Sequence, residues 1–543
     1  MLTLPLDPTD DRANPAFKDA SACAQWLGQL QLTNLHQAHS VLRMQLDELN
    51  SYPMRGLERL HTLELLRETV ASIQLDYAKK LVAKRLPLND DELTIFAAIV
   101  GLWQGMVTGY QRCLQAYMAG DQQLAAYGAQ LCQRCLLYSG LQIFEHMRTG
   151  YEFDGKLWHQ LHELYAFCEE QNWQLAEVRD DLGGNSRSTS CNAAYINILL
   201  ACHAHRSDLS RHLLQLLDRW LTLWSPSIAV EQRYIASKGD APPLAVDLGS
   251  SSGLQPPQSA TATERLRYLV MVPLSKLIRV KTILLQQGQS PQQLELGAGC
   301  NSEECIAFLS YLHQCWCEGQ DGRMLERHGG TQRAQVCYGM ESCFAYIANK
   351  PFKQPGRDAA VDTLSRKQIA AFGRVLADTD RHDLAVMGLV LETWQIEDEN
   401  IRGARLLREE NAGVRLSPGQ LVAVRPTNAN AFMVGTVNWV KVTLTGQLRT
   451  GVRYLPGLPH AIAMKATGVN LTVSDKYVAA LLLPAVPALK TPASLIAPRD
   501  WFKPGRVVEI VQIDKKKQQL KMELSIEKGS DYERISFTEI LPS

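Results

Sequence analysis

Two short clusters of residues in this sequence could bind an anionic ligand. The first is a pair of arginines one helical turn apart, Arg323 and Arg327, and the second is the run containing Asp398, Asn400 and Gly403. A guanidinium binds phosphate, or the O6 and N7 atoms of guanine, through two parallel hydrogen bonds. Short polar side chains next to a glycine suit a tight turn at which polar groups recognise a ligand. Binding of this kind needs no nucleophile or base.

Short strands surround the second cluster. Runs bounded by Gly, Pro or Asn predict strands at Arg333–Tyr338, Leu389–Ile396, Ala404–Leu407, Gln420–Arg425, Ala431–Leu444 and Leu448–Leu455. Many short strands with frequent turns indicate a barrel or a sandwich. Two later runs, Val507–Ile513 and Gln519–Ile526, flank a turn at Asp514 to Lys517 and predict a small β unit over residues 477–543.

The two clusters, in this order and followed by these strands, resemble the PilZ domain. That family carries the motifs RxxxR and [D/N]xSxxG, here Arg323-Met-Leu-Glu-Arg327 and Asp398-Glu-Asn400-Ile-Arg-Gly403. The later runs at 416–425, 434–439 and 450–455 also resemble its remaining strands. The resemblance covers residues 322–464 and implies a six-stranded β-barrel that binds the bacterial messenger cyclic di-GMP.

By this resemblance, cyclic di-GMP is the expected ligand, with no other cofactor and no metal. The implied ligand-binding residues are Arg323, Arg327, Asp398, Asn400 and Gly403. Two further arginines, Arg333 and Arg402, either assist the ligand or are simply solvated. An RxxxR spacing alone carries little information, because arginines at helical spacing usually form a solvated face.

The sequence departs from the family pattern in two places. Asn400 occupies the usual serine position, which keeps a hydrogen-bonding side chain but changes its size and donor geometry. Residues 340–382 replace a short hairpin and contain a helical pattern at Ser365–Leu376. We therefore expect an insertion into the barrel.

Residues 17–317 carry apolar side chains at helical spacing and predict an all-α domain. One stripe runs from Leu63 to Leu81, and a capping-box spacing between Asn89 and Glu92 begins the next helix. The repeat signature is weak, so a solenoid-like array and a helical bundle both remain open. The Gly/Ser/Pro-rich stretch 247–263 is expected to be a flexible loop, with the helical pattern resuming at Glu264.

Composition narrows the class of partner. The 543 residues include 56 Lys+Arg and 56 Asp+Glu, so no overall field draws the chain to nucleic acid or to an anionic membrane.

The N-terminal sequence has no signal-peptide pattern. The most apolar late stretch, Tyr477–Pro487, is shorter than the roughly 20 residues that span a bilayer. We expect a cytoplasmic protein without a membrane span and with reduced thiols rather than disulfides.

Two other patterns suggest metal chemistry at first sight. Cys132 and Cys135 form a lone CxxC, and His159, His162 and Glu163 lie close together on one helix. The CxxC has no convincing second half, and the histidine order differs from the zinc motifs HExxH and HxxEH and would still need a third ligand. Burial and packing are the preferred interpretation for both.

The sequence thus predicts an α+β multidomain protein: a helical array, a PilZ-like six-stranded barrel and a small terminal β unit. The preferred function is an intracellular cyclic di-GMP effector whose helical domain relays the signal to a protein partner. By resemblance, the process is motility, pili, surface attachment or exopolysaccharide control in a bacterium. The alternative is an adaptor protein with a degenerate barrel that binds no nucleotide. We expect no enzyme, since P-loop and GxSxG motifs are absent from the sequence.

Overall fold

The computed structural model describes residues 2–182, 187–205, 209–235, 237, 239–257, 263–318, 328–329, 332–355, 384, 387–408, 413–467, 476–512 and 516–540. The chain divides into two compact units. The helical unit comprises Met1–Lys84 and Leu88–Met324, and the barrel unit comprises Arg85–Pro87 and Leu325–Ser543. The predicted class of a helical region followed by β domains is confirmed.

The helical unit is built from ten described helices around one apolar core. They are α1 (Ala20–Gln29), α2 (Leu35–Ser51), α3 (Gly56–Tyr77), α4 (Asp90–Met118), α5 (Gly128–Thr149), α6 (Gly155–Glu170), α7 (Cys191–Ala204), α8 (Arg211–Trp224), α9 (Val272–Gln286) and α10 (Ser302–Cys317). Helices α2 to α8 pack consecutively on one another, as do α9 and α10; α1 packs on α3, and α4 also contacts α2.

The predicted cap is confirmed, and so is the stripe as far as Tyr77; Leu81, the last residue of the predicted stripe, lies in a 3₁₀ turn after α3 ends. The α3 side chains Leu63, Leu66, Val70, Ile73 and Tyr77 are each at most 3% exposed, as expected for residues spaced three or four apart on one helix face. The side chain of Asn89 accepts from the backbone N–H of Glu92, whose carboxylate accepts from the backbone N–H of Asn89. This capping box satisfies two donors at the start of α4.

Helix α4 is the one helix in the described part of the chain that is long and apolar enough to cross a membrane by length and composition. Half of its most apolar stretch is buried inside the structure. Leu102, Met106 and Leu114 belong to the core of the helical unit. The packing is that of a central core helix.

The helical unit also contains short strands that the sequence did not predict. A hairpin pairs β1 (Val178–Asp180) with β2 (Arg187–Thr189), and a three-stranded sheet joins β3 (Val230–Glu231), β4 (Leu244–Asp247) and β5 (Leu266–Leu269). The expectation that helix resumes at Glu264 is therefore wrong. The pairing of β5 with β4 is a long-range contact, which local periodicity does not reveal.

The first barrel follows in the barrel unit. Its elements are β6 (His328–Gly329), β7 (Arg333–Tyr338), helix α11 (Gly339–Ala348), β8 (Glu392–Asn400), β9 (Gly403–Arg408), β10 (Leu421–Pro426), β11 (Met433–Val442) and β12 (Leu448–Tyr454). Strands β8, β7, β10, β11, β12 and β9 pair in that order, and β9 returns to β8. The predicted six-stranded barrel is confirmed, with β6 as a short addition alongside β8. Within the predicted insertion, Ser365–Leu376 lies outside the described residues.

A second closed barrel completes the unit. It comprises β13 (His460–Thr467), β14 (Val478–Leu483), β15 (Ser494–Pro498), β16 (Val507–Gln512), β17 (Lys517–Lys528) and β18 (Tyr532–Ile540). The expected terminal β unit thus has six strands, and the boundary expected at Met464 falls inside β13. An apolar cluster that includes Phe344 of α11, Leu421 of the first barrel and Leu481 of the second joins the barrels into one body.

The cysteines follow the sequence expectation with one correction. Cys132 and Cys135 are fully buried, and burial raises the pKa of the Cys135 thiol well above its ordinary value. Cys300 and Cys305, however, form a disulfide, which contradicts the expectation of reduced thiols. The turn into α10 at the N-cap Asn301 brings their Cα atoms to 6.1 Å, within the range that a disulfide spans.

Candidate functional site

A β-bulge near the end of β8 shapes the second motif. Ile396 pairs with Leu406 and Asp398 with Arg405, so Glu397 is the extra residue of the bulge. The bulge places two carboxylates opposite one guanidinium. Arg405 Nη2 lies 2.8 Å from Asp398 Oδ2, and Arg405 Nε lies 3.0 Å from Glu397 Oε2.

Asp398 is therefore held by a protein cation. It is only 6% exposed, and its ion pair with Arg405 joins β8 to β9. Glu397 forms a further ion pair with Arg449 of β12, at 3.1 Å. Two carboxylates and two guanidiniums thus form a charge-balanced cluster on three adjacent strands.

Asn400 closes the hairpin between β8 and β9. Its side-chain oxygen accepts hydrogen bonds from the backbone N–H groups of Arg402, at 2.9 Å, and Gly403, at 3.1 Å. An asparagine that bonds the backbone two residues further on stabilises a turn of this kind. The amide oxygen is used by the turn itself, and Ile401 at the tip is 73% exposed.

Gly403 is required for a reason that the sequence did not suggest. Its φ lies outside the left-handed region, so a tight positive-φ turn is not what selects glycine here. Gly403 pairs with Arg453 of β12, and a Cβ atom would lie 2.1 Å from the carbonyl oxygen of Val452. The glycine allows the hairpin to approach the β12 backbone.

Arg323 and Arg327, the first motif, lie outside the described residues. The strand that directly follows them is described: in β6, His328 pairs with Glu399 and Gly329 with Asp398. Chain register therefore brings the residue after Arg327 alongside the Asp398 to Gly403 motif.

The two assisting candidates occupy different positions. Arg333 begins β7 opposite Gln395 and is exposed. Arg402 lies at the exposed hairpin tip, next to the Asn400 turn. Only Arg402 belongs to the second motif's turn.

Sequence reasoning missed Arg405, Glu397 and Trp439. In the strand register, Asp398 stands opposite Arg405 and Arg405 opposite Gly451. Trp439 stands opposite Gly451, and a Cβ atom on that glycine would lie 2.1 Å from the indole Nε1. Gly451 was the available signal in the sequence for this contact, since a glycine within a strand often marks the close approach of another group.

Tyr454 adds a hydrogen bond at the same edge. Its hydroxyl donates to Glu399 Oε1 at 2.8 Å. Burial, followed by the charge of Glu399, raises the pKa of Tyr454 well above its ordinary value, so the phenol stays protonated. Glu399 is the β8 residue that pairs with His328, directly after the first motif.

The strand end thus combines paired carboxylates and guanidiniums with the rings of Trp439 and Tyr454. Among the described residues, no group of three or more His, Cys, Asp or Glu side chains is placed to hold a metal ion. His162, on α6, instead contacts the Tyr195 hydroxyl at 2.7 Å and the Ser252 carbonyl at 2.9 Å. Beside this charge-balanced barrel cluster, Arg402 at the hairpin tip is an exposed cation.

Comparison with known proteins gives two matches to domain families. Residues 21–234 match the model described as the N-terminal domain of the cyclic-di-GMP receptor FimW, and residues 464–540 match the FimW C-terminal β-barrel domain. The chain is also 23% identical over 559 aligned residues to the cyclic-di-GMP receptor FimW of Pseudomonas aeruginosa, covering 93% of this chain and 88% of that protein. The first barrel lies between the two matched segments.

Proposed function

We propose that this chain, which carries both FimW domains, is a receptor for cyclic di-GMP that binds the nucleotide on its first barrel. The observation that carries the proposal is the register of β6 on β8, which sets the chain after Arg327 beside Asp398. The residue that directly follows the first motif in the sequence, His328, is thereby paired with a residue of the second motif's strand. The similarity to a cyclic-di-GMP receptor over most of the chain supports the same ligand.

In this proposal, Arg323 and Arg327 are the main ligand contacts. Their guanidiniums bind the phosphates, or the O6 and N7 atoms of a guanine, and either group can stack on a base. Charge-assisted hydrogen bonds of this type contribute about 1.5–3 kcal/mol each. Arg402, at the neighbouring hairpin tip, is the assisting cation that the geometry favours over Arg333.

Asp398, Asn400 and Gly403 act mainly by shaping the site. Asp398 fixes Arg405, Asn400 holds the hairpin, and Gly403 lets that hairpin approach β12. Each role orders a group before the ligand arrives, which reduces the entropy lost on binding. The exposed side of Arg405 remains available for a further ligand contact.

The receptor then passes the signal on through protein contacts of its helical unit, in the cytoplasm and without catalysis. Stacked helices offer extended surfaces for protein partners. Motility, pili, surface attachment and exopolysaccharide control are the processes that fit a bacterial cyclic di-GMP receptor of this kind.

An adaptor whose barrel binds no nucleotide is the second candidate. The observation in its favour is that Asp398 and the Asn400 side-chain oxygen are already engaged by Arg405 and the turn. In that case the motif serves only the barrel's own stability.

Calorimetric titration of the full chain with cyclic di-GMP separates the two. We expect binding by the wild-type chain, and a loss of at least about a hundredfold in Arg323→Ala with Arg327→Ala. The matched control removes two exposed arginines elsewhere, Arg12→Ala with Arg187→Ala, and should bind like the wild type. Absence of binding by the wild type would establish the adaptor. Equal affinity in the Arg323 and Arg327 variant would establish that the nucleotide binds at another site.

A further inference from the structure

A cavity of about 740 Å³ lies in the helical unit. Its walls are α3, α5 and the first strand of the β1–β2 hairpin, and it opens to solvent on one side. Ala126 and Ala129 leave room along one wall. The volume falls within the roughly 300–1,000 Å³ typical of ligand sites.

The floor of this cavity is a closed ionic network. Glu64 accepts from Arg134 Nε at 3.0 Å, from Arg67 Nη1 at 3.2 Å and from the Tyr110 hydroxyl at 2.6 Å. Arg67 Nη2 donates to Asp180 at 2.7 Å. Burial opposes ionisation of Glu64, but the hydrogen bond and charge of Arg134, with the charge of Arg67, outweigh it and lower its pKa.

The two floor arginines are not available to an anion. Arg134 is 1% exposed, and its remaining nitrogens donate to Gln133 Oε1 and to the Arg179 carbonyl. Arg67 is 5% exposed and also donates to the Tyr138 hydroxyl. An anionic ligand would have to displace buried carboxylates that satisfy these cations, at considerable cost.

Of the other charged groups that line the cavity, Arg179 pairs with Asp181, and the exposed carboxylates left for a ligand are those of Glu68 and Glu177. Glu68 and Glu177 line the cavity, are exposed and make no ion pair within the described residues. Leu65, which follows Glu64 on α3 and also lines the cavity, is 43% exposed. A cation beside an aliphatic side chain complements this lining.

We propose that this cavity is a docking site for a partner protein, which inserts an arginine or lysine side chain between Glu68 and Glu177 and rests an aliphatic neighbour on Leu65. A half-open cavity with an exposed leucine suits a polypeptide segment better than a small free cation. The biological role of this docking site rests on the proposed function, in which the helical unit passes the signal to a partner protein. Its chemistry stands apart from cyclic di-GMP binding.

The test uses the full chain and a labelled peptide of alternating leucine and arginine, with a citrulline version that keeps shape and loses charge. Fluorescence polarisation should show binding of the arginine peptide, weakened about tenfold or more by citrulline or by Glu68→Gln with Glu177→Gln. The control Glu231→Gln with Asp240→Asn removes two exposed carboxylates elsewhere in the unit and should change affinity less than about twofold. Affinity should also fall with added salt.

Three results would overturn the docking site: no binding of the arginine peptide, equal binding by the Glu68 and Glu177 variant, or equal binding of the citrulline peptide. Competition by free argininamide at the same concentration as the peptide would identify a small-cation site instead and reject protein docking. Cyclic di-GMP titration of the same variants keeps the two proposals separable. The affinity for cyclic di-GMP should be unchanged in Glu68→Gln with Glu177→Gln, whether or not this variant binds the peptide.

Discussion

Asp398 and Arg405 form a cross-strand ion pair at the bulge of β8, with 2.8 Å between carboxylate and guanidinium. The pair joins a motif residue expected from the sequence to a residue that the sequence did not mark. It gives Asp398 a contact within the barrel in addition to the ligand contact predicted for it.

A double-mutant cycle tests this role. Asp398→Asn and Arg405→Gln should each lower the free energy of unfolding of the barrel unit, and the double variant should lose less than the sum. Because Arg405 is partly exposed, we expect a coupling energy of only about 1 kcal/mol. Urea unfolding of the four proteins measures it. Strict additivity would show that the pair contributes nothing to stability.

Substitution of Asn400 separates turn formation from ligand contact. Asn400→Ala removes two hydrogen bonds to backbone N–H groups and should cost about 1–2 kcal/mol of barrel stability. Asn400→Ser keeps an acceptor, so it should retain most of this stability and keep or improve the affinity for cyclic di-GMP. Unfolding curves and titrations of both variants provide the measurement. An alanine variant as stable as the wild type would contradict the turn role.

Gly403→Ala should destabilise the barrel unit by about 3 kcal/mol or more, because its Cβ atom would meet the Val452 carbonyl oxygen at 2.1 Å. The clashing atom belongs to the backbone of Val452, so no side-chain rotation can relieve the clash. The control is Gly28→Ala in α1, where nothing lies within 4 Å and alanine should stabilise the helix by about 0.5–1 kcal/mol. Thermal unfolding compares the two. A neutral Gly403→Ala would mean that β9 and β12 separate at little cost.

The buried His162 predicts a loss of stability of the helical unit on acidification. Burial lowers its pKa to about 4, below the ordinary value near 6.5 that it regains on unfolding. The unfolded chain therefore takes up a proton first as the pH falls below 6.5. Stability should drop by about 2 kcal/mol between pH 7.5 and pH 5 from this group alone.

The variant His162→Gln should reduce that pH dependence while lowering stability at neutral pH, since it disturbs the contacts with Tyr195 and Ser252. Some dependence will remain, because burial also lowers the pKa values of His39 and His146. Urea unfolding at several pH values provides the comparison. An unchanged slope in the variant would show that His162 does not titrate on unfolding.

Hydrogen exchange tests whether the first motif is engaged by ligand. If Arg323 and Arg327 bind cyclic di-GMP, peptides covering Cys315 to Gly330 should exchange more slowly when it is bound. The variant Arg323→Ala with Arg327→Ala provides the control, since it should show no such protection. Tight binding by the wild type with identical exchange across this segment would place the ligand elsewhere.

Local patterns in the sequence determined much of the architecture. The spacing of Leu63, Leu66 and Val70 predicted the buried face of α3, and Asn89 with Glu92 predicted the start of α4. Both depend on neighbours three or four residues apart, whose contacts a helix fixes by geometry alone. The strands of the first barrel were predicted for a similar reason, because Gly, Pro and Asn mark their ends.

Contacts between distant residues were decided only by the tertiary structure. The run at 477–487 is apolar throughout, so its sequence shows no alternation of apolar and polar residues. Its strand, β14, pairs with β13 and β15 in the second closed barrel, and this pairing is visible only in the tertiary structure. The partner of Asp398 depends on a bulge, and the need for Gly403 depends on the path of β12, which lies some fifty residues away in the sequence. The motif itself predicted a ligand class by its residue types. Which side chains hold the site, and which remain for a ligand, follows from strand register, because register sets which distant groups share one face.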